Sequence, residues 1–409
     1  MSLKKRNKIF SKANILKLLV FYIAFQVLYY LLALIFSSTF MQLFTLKEIG
    51  SADFTFNDLY YRVVASENFE NKKNFRNPKS TILINSGSLS KEDFRLQLAN
   101  LLMKLEEYEP AVIAVDHEFT ADTSKIGTIE LLETASYFGD IIFAYDPLSS
   151  GFLEPLGVKG QVIFPAQTSI RYYRNSDSSF AFLLAKRLSP KLKEPKNKND
   201  SFPIHYCSYA KGFTHWQDKI DQYYDINFKA IEAKDFFDNN DSAQIEELKK
   251  LVAGKAVIIG HLGSPEMYNS NDIEDKFRVP VDPMAMTGRE KIMPGPVIHA
   301  NAVENFLHPK EMFYELKGFW FIFLQQLLYF FYLAFVLLEK FGSVTKKIAL
   351  GILSVISFIV VIKLMNWGIY VTMGTTLLQL LIIEEITEMF DPYYTKLENF
   401  FKKRKNENV

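Results

Sequence analysis

Residues 111–116 read AVIAVD, and this stretch decides the fold. Unbroken apolar residues, begun just after Pro110 and stopped by an aspartate, describe a strand buried on both faces. Such strands belong to parallel sheets covered by helices. Upstream, Lys91–Glu107 has helical periodicity: Phe94, Leu98, Leu101, Leu102 and Leu105 share one face, with Ser90 as candidate N-cap. Before it, Thr81–Asn85 (TILIN) is a short apolar run following the turn-like Asn77-Pro78. Downstream, Ile129–Phe138 predicts a second helix and Ile141–Tyr145 (IIFAY) a third strand. This β-α-β-α-β series argues for an α/β domain built on a parallel sheet. Farther on, Ala243–Ala253 predicts a helix, Ala256–Gly260 (AVIIG) another buried strand, and Val297–Leu307 a closing helix. The polar stretch Lys191–Ser201 reads as an exposed loop inside the domain, and no internal repeat is present.

Outward from this domain the chain turns apolar at both ends. Asn14–Phe36 is apolar apart from Lys17 and Gln26, long enough to span a bilayer core of about 20 helical residues. It is too long for a signal h-region, and Ser37, Ser38 and Thr39 make a weak cleavage site. Three more runs follow: 318–338, 348–364 and 367–383, the last two joined by Met365 and Asn366 in a tight hairpin. A buried soluble helix pair is the alternative; length and aromatic edges favour spans. Lys and Arg flank these runs asymmetrically. Lys4, Lys5, Arg6, Lys8 and Lys12 precede the first, and Lys340, Lys346 and Lys347 separate the second from the third. Lys396, Lys402, Lys403, Arg404 and Lys405 follow the last, whereas the hairpin holds only Lys363. By the positive-inside rule both termini face the cytoplasm, and residues 45–315 lie outside. The expected order is a flank (1–13), a span (14–36), the domain (45–315), spans 318–338, 348–364 and 367–383, and a tail (384–409).

The whole chain has 409 residues and a formal net charge of +1, which lacks the basic field a nucleic-acid binder needs. One cysteine, Cys207, excludes an intramolecular disulfide and a thiolate metal cluster. There is no Gly-x-Ser-x-Gly elbow and no His-Glu-x-x-His, so nothing selects a hydrolase.

An ordered set of pieces carries a family resemblance. These are FNDLYYR (56–62), the strand ILIN, AVIAVD ending at Asp116 with Phe119 beyond, GKAVIIGHLG (254–263), EDKFRVPVD (274–282) and MPGPVIHANAVENFL (293–307). Together they resemble the type-2 CHASE sensory domain of bacterial membrane receptors, most of all its Bacteroidetes-type members. The likeness runs over essentially the whole chain, including three terminal apolar segments. It implies a periplasmic sensory domain in a multi-pass protein of the bacterial inner membrane, with no enzyme activity and no cofactor. Many relatives carry a cyclase or kinase module after the last span. Here about 26 residues follow it, so the expectation is a sensor that acts through a protein partner in the inner membrane or envelope. A structural subunit of an envelope complex and a periplasmic hydrolase are the alternatives.

Ligands of open α/β sheets sit beyond the carboxyl ends of the strands. That places Asn85, Asp116, His117 and Glu118 where a divalent cation or small polar ligand would bind. The simpler reading has Asp116 capping a neighbouring helix and the next two residues solvated, since no dedicated metal motif is present. Gly260-His261-Leu262-Gly263 follows another strand; it offers amides to an anion, or is a plain tight turn. Asp275 and Asp282 flank KFRVPV and join Asp116 only if that loop folds back. His299 opens the closing helix in so apolar a setting that a structural role is expected. The tail residues Glu384, Glu385, Glu388, Leu397, Phe400 and Phe401 form either an amphipathic segment on the inner leaflet or a stop-transfer flank.

Overall fold

The structure is a computed structural model. It describes residues 18–27, 80–147, 153, 156–164, 170–195, 200–206, 228–238, 242–262, 276–279, 292–309, 314–316, 319–338, 343–370, 392 and 396. The chain divides into two compact units, Asp58–Tyr314 and the combination of Met1–Asn57 with Glu315–Val409.

The first unit is built on strands β1 (Thr81–Asn85), β2 (Val112–Asp116), β3 (Ile142–Tyr145) and β4 (Val158–Gln161). A short antiparallel pair follows, β5 (Tyr172–Asn175) and β6 (Asp200–Pro203), then β7 (Lys229–Glu232) and β8 (Ala256–Gly260). Strands β4-β3-β2-β8-β1-β7 form one six-stranded sheet in that order, and every pairing in it is parallel. A second antiparallel pair joins β9 (Lys276–Arg278) to β10 (Ile292–Pro294). The α/β class with a parallel sheet is therefore as expected from sequence.

Side chains alternate across the sheet. One face carries Ile82, Ile84, Ile113, Val115, Val257 and Ile259 into the main core. Over it lie α1 (Phe94–Glu106), α2 (Thr128–Phe138), α4 (Asp235–Asp238) and α5 (Ser242–Val252). The opposite face carries Leu83, Ala114 and Ile258, all buried, beneath α3 (Phe180–Leu188) and α6 (Gly295–Leu307). In α1, Leu98, Leu101, Leu102 and Leu105 are fully buried, as the periodicity requires. The helix begins later than Ser90, however. Asp93 is its N-cap residue, and the Ser90 N–H donates to Gln97 Oε1 at 3.0 Å. In α6 every residue but Leu307 is buried. Its polar side chains are bonded inside the domain: Asn301 Nδ2 donates to the Val297 carbonyl, and Asn305 Nδ2 donates to the His205 and Asn301 carbonyls.

In the second unit residues 18–27 are helical, and two longer helices follow, α7 (Phe319–Leu338) and α8 (Ser343–Asn366). The hairpin expected at Met365 and Asn366 lies one step later. Helix α8 runs through Asn366, and Trp367-Gly368 makes the turn, with Gly368 at φ 77°. A two-residue strand, Ile369–Tyr370, comes next, so the segment expected to span from Trp367 does not start as helix. Residues 371–383 of that segment lie outside the described residues, as do 14–17 and 28–36 of the first. Among the described residues, no helix is long and apolar enough to cross a membrane. Much of α7 and α8 has side chains outside that description.

Candidate functional site

The strand register lines up Glu232, Asn85, Gly260 and Asp116 as one row across β7, β1, β8 and β2, at their carboxyl ends. Asn85 is 2% exposed and ties the row together. Its Nδ2 donates to both carboxylate oxygens of Glu232, at 3.0 and 3.2 Å. Its Oδ1 accepts from the Gly87 N–H at 3.0 Å and from the Leu262 N–H at 2.9 Å. The amide thereby caps the one-turn 3-10 helix Ser86–Ser88 and anchors the loop after β8. Gly260 is required by close packing. A Cβ there would stand 2.4 Å from Pro296 Cγ in α6 and 3.1 Å from Asp116 Cβ.

One residue further on, the chain alternates to the other face. His117 Nε2 lies 2.7 Å from Ser86 Oγ, and its ring meets Phe94 edge-on with centroids 4.7 Å apart. His261 follows Gly260 as His117 follows Asp116, and a Cβ at Gly87 would be 3.2 Å from the His261 ring. Loss of water around the His117 ring, and secondarily the neighbouring His261, push its pKa down to about 4. Glu118 is exposed; partial burial and then Asp146 raise its pKa.

Asp116 belongs to a different cluster from His117. Its Oδ1 is 3.7 Å from His299 Nε2, with both side chains nearly excluded from solvent. Tyr173 Oη lies 2.6 Å from His299 Nδ1 and accepts the Ala181 N–H at 3.2 Å. A hydroxyl hydrogen directed at Nδ1 would put the ring proton on Nε2, facing Asp116. Phe164 stacks on the imidazole at 5.3 Å, and Phe180 lies 5.0 Å away. Burial lowers the His299 pKa to about 3 and raises that of Tyr173.

The residues selected from sequence therefore fall into two groups. Asn85, His117 and His261 gather around Ser86–Ser88, while Asp116 turns toward α6 and caps no helix among the described bonds. Asp275, Asp282 and Gly263 lie outside the described residues. Sequence reasoning missed Ser86, Glu232 and Tyr173. Ser86 had a signal in Asn-Ser-Gly-Ser, a cap-and-turn pattern, and alternation along β2 would have separated Asp116 from His117. Among the described residues no group of three or more His, Cys, Asp or Glu is placed to hold a metal ion. The arrangement gathers a buried carboxamide, a hydroxyl and two imidazoles at the sheet edge.

Comparison with known families gives one match: the CHASE2 domain, over residues 31–338. No curated protein and no solved structure matches the chain.

Proposed function

Because the chain belongs to the CHASE2 domain family, a family of sensory rather than enzymatic domains, we propose that it is a membrane-anchored receptor. Its periplasmic α/β domain binds a small polar ligand at the carboxyl edge of β1, β8 and β2. The observation that carries this reading is the polar row at that edge, buried Asn85 with half-buried Glu232 beside the Ser86–His117 pair. Sheet edges of this type are where α/β domains take ligands.

Membrane anchoring draws support from the polarity of the second unit, which is inside out. Among its described residues most exposed side chains are apolar: Leu19, Val20, Ile23 and Val27, then Phe323, Leu327 and Phe331 in α7, then Ile348, Ile352, Val355, Ile356 and Ile359 in α8, with Lys363 near the end of α8 an exception. Its polar groups turn inward. Gln326 Oε1 accepts from the Tyr22 hydroxyl and from Gln26 Nε2, and Gln325 Nε2 donates to the Tyr329 hydroxyl. Water would favour the reverse arrangement, whereas lipid favours this one. Helices α7 and α8 have 20 and 24 residues, roughly 30 and 36 Å at 1.5 Å per residue. In this reading the protein sits in a bacterial inner membrane with both termini cytoplasmic. Ligand binding shifts a two-state equilibrium that a protein partner in the membrane or envelope detects.

The test is thermal unfolding of the full chain in lipid nanodiscs against a library of small polar metabolites. A ligand at about 100 times its Kd adds about 2.7 kcal/mol of stability. The reading predicts at least one such compound, with the gain abolished in His261→Ala. A blank library, or stabilisation unchanged in that variant, counts against it.

A further inference from the structure

We propose that the 3-10 turn Ser86–Ser88 is a proton-operated latch, held shut by the neutral imidazole of His117 with His261 packed beside it, and released when acid charges His117. It rests on the sensory reading of this edge and names the proton as a regulator there.

The geometry comes from the sheet. Asp116 and Gly260 are partners in register, so His117 and His261 leave adjacent parallel strands side by side, where neighbouring strands lie about 4.8 Å apart. Each of the first two residues of the turn rests on one ring. Ser86 Oγ meets His117 Nε2 at 2.7 Å, and a Cβ on Gly87 would stand 3.2 Å from the His261 ring and 3.1 Å from Asn85 Oδ1. His261 Nε2 is shut off from solvent and has no hydrogen-bond partner among the described residues. The His117 imidazolium would have to donate from both ring nitrogens in a site where one wall is the apolar Phe94 ring. The neighbouring His261 further disfavours the charged form of His117.

The carboxylates at this edge are engaged elsewhere. Glu232 of β7 accepts from Asn85, and Asp116 of β2 faces His299. Glu118, after β2, is exposed and coupled to Asp146 after β3, while α1 presents the apolar Phe94 ring to His117. Charging His117 is therefore relieved by moving the turn and admitting water. Burial and His261 hold the His117 pKa near 4 in the closed state, against an ordinary value of 6.5. A depressed folded-state pKa means the closed state is favoured fully above 6.5 and loses ground as pH falls toward 4. At pH 5 proton binding by His117 alone favours the open turn about 30-fold over its equilibrium at pH 7.5.

The experiment is amide hydrogen exchange by mass spectrometry on the full chain in nanodiscs, at pH 7.5 and 5.0, corrected for intrinsic rates. Peptides covering 84–90 and 260–262 are expected to lose roughly 10- to 30-fold in protection at pH 5, while those covering 112–115 and 297–306 keep theirs. In the double variant His117→Gln, His261→Asn the pH dependence of 84–90 disappears. Protection of 84–90 that is equal at both pH values in the unmodified chain overturns the latch without reference to any variant. So does a loss spread evenly over all four regions, or a drop that persists in the double variant. The ligand screen at pH 7.5 is scored separately: a local acid response in a protein that no metabolite stabilises keeps the latch and removes the ligand reading.

Discussion

Replacing Gly260 by alanine tests the packing that joins the candidate site to α6. The added methyl would lie 2.4 Å from Pro296 Cγ, 3.3 Å from Pro296 Cβ and 3.1 Å from Asp116 Cβ. Carbon atoms rest comfortably at about 3.5–4.0 Å, so the first contact is more than an ångström too short. A proline ring cannot swing aside, and Pro296 is fixed at the start of a helix buried along nearly its whole length. Relief requires α6 to lift from β8, and a gap of that size forfeits a quarter to a half of the dispersion energy along the interface. Overpacking of this kind costs about 1–3 kcal/mol, and the rigidity of both partners puts Gly260→Ala near 3 kcal/mol. The control is Gly254→Ala. Gly254 has φ 69° and nothing within 4 Å of an added Cβ, so its cost is backbone strain of about 1–2 kcal/mol without steric overlap. Urea unfolding of both variants in the same detergent gives the comparison. A Gly260→Ala loss below about 1 kcal/mol, or smaller than that of Gly254→Ala, would refute the close-packing argument.

Other expectations follow from the same contacts. Asn85→Ala removes the acceptor of the Gly87 and Leu262 amides and the partner of Glu232; a loss of about 2–4 kcal/mol in urea unfolding is expected, with Asn85→Asp retaining the acceptor but adding a charge beside Glu232. His299 has its pKa lowered from 6.5 to about 3 by burial, so its neutral form contributes stability that is complete above pH 6.5 and is lost as pH falls toward 3. Between pH 7.5 and 5 that loss is about 2 kcal/mol, and the pH slope of urea midpoints should flatten in His299→Gln; superimposable slopes would contradict it. Arg95 donates to the Thr120 and Asp122 carbonyls and to Thr128 Oγ1, so Arg95→Met should cost about 2–3 kcal/mol and raise proteolytic cutting within 120–128. Gln326→Leu deletes the acceptor shared by Tyr22 and Gln26; interhelical bonds in membranes are worth about 0.6–2 kcal/mol, read here as a lower thermal midpoint of the full chain in nanodiscs.

How much of this was legible depended on burial. AVIAVD and AVIIG announced themselves because strands covered on both faces must be apolar throughout, and β8 has the bounds its sequence suggests. The outer strands β4 (VKGQ) and β7 (KAIE) stand at the sheet margins, where polar residues are tolerated, and their four-residue runs carry no distinctive period. Strand order was also hidden. Nothing local in AVIIG says that it inserts between β1 and β2, because that choice is made by helix packing on the two faces. The site suffered accordingly: Asn85, His117 and His261 were visible at strand ends, but Glu232 was not, because its strand was not. His299 was legible as a structural histidine from its apolar neighbours, whereas its partner Tyr173 comes from the short antiparallel strand β5 and is joined to it only by tertiary folding.

The insertion of β8 sets a timetable for biosynthesis. Strands β1 and β2 are made early, yet each pairs with β8, which lies 140 residues beyond the end of β2. At 5–20 residues per second the ribosome needs roughly 7–30 s to supply it. Throughout that interval two apolar strands have finished edges and no shared neighbour, the condition in which nascent chains pair wrongly or aggregate. The centre of this sheet is therefore its last piece to arrive, and a newborn chain depends on being shielded until residue 260 has emerged.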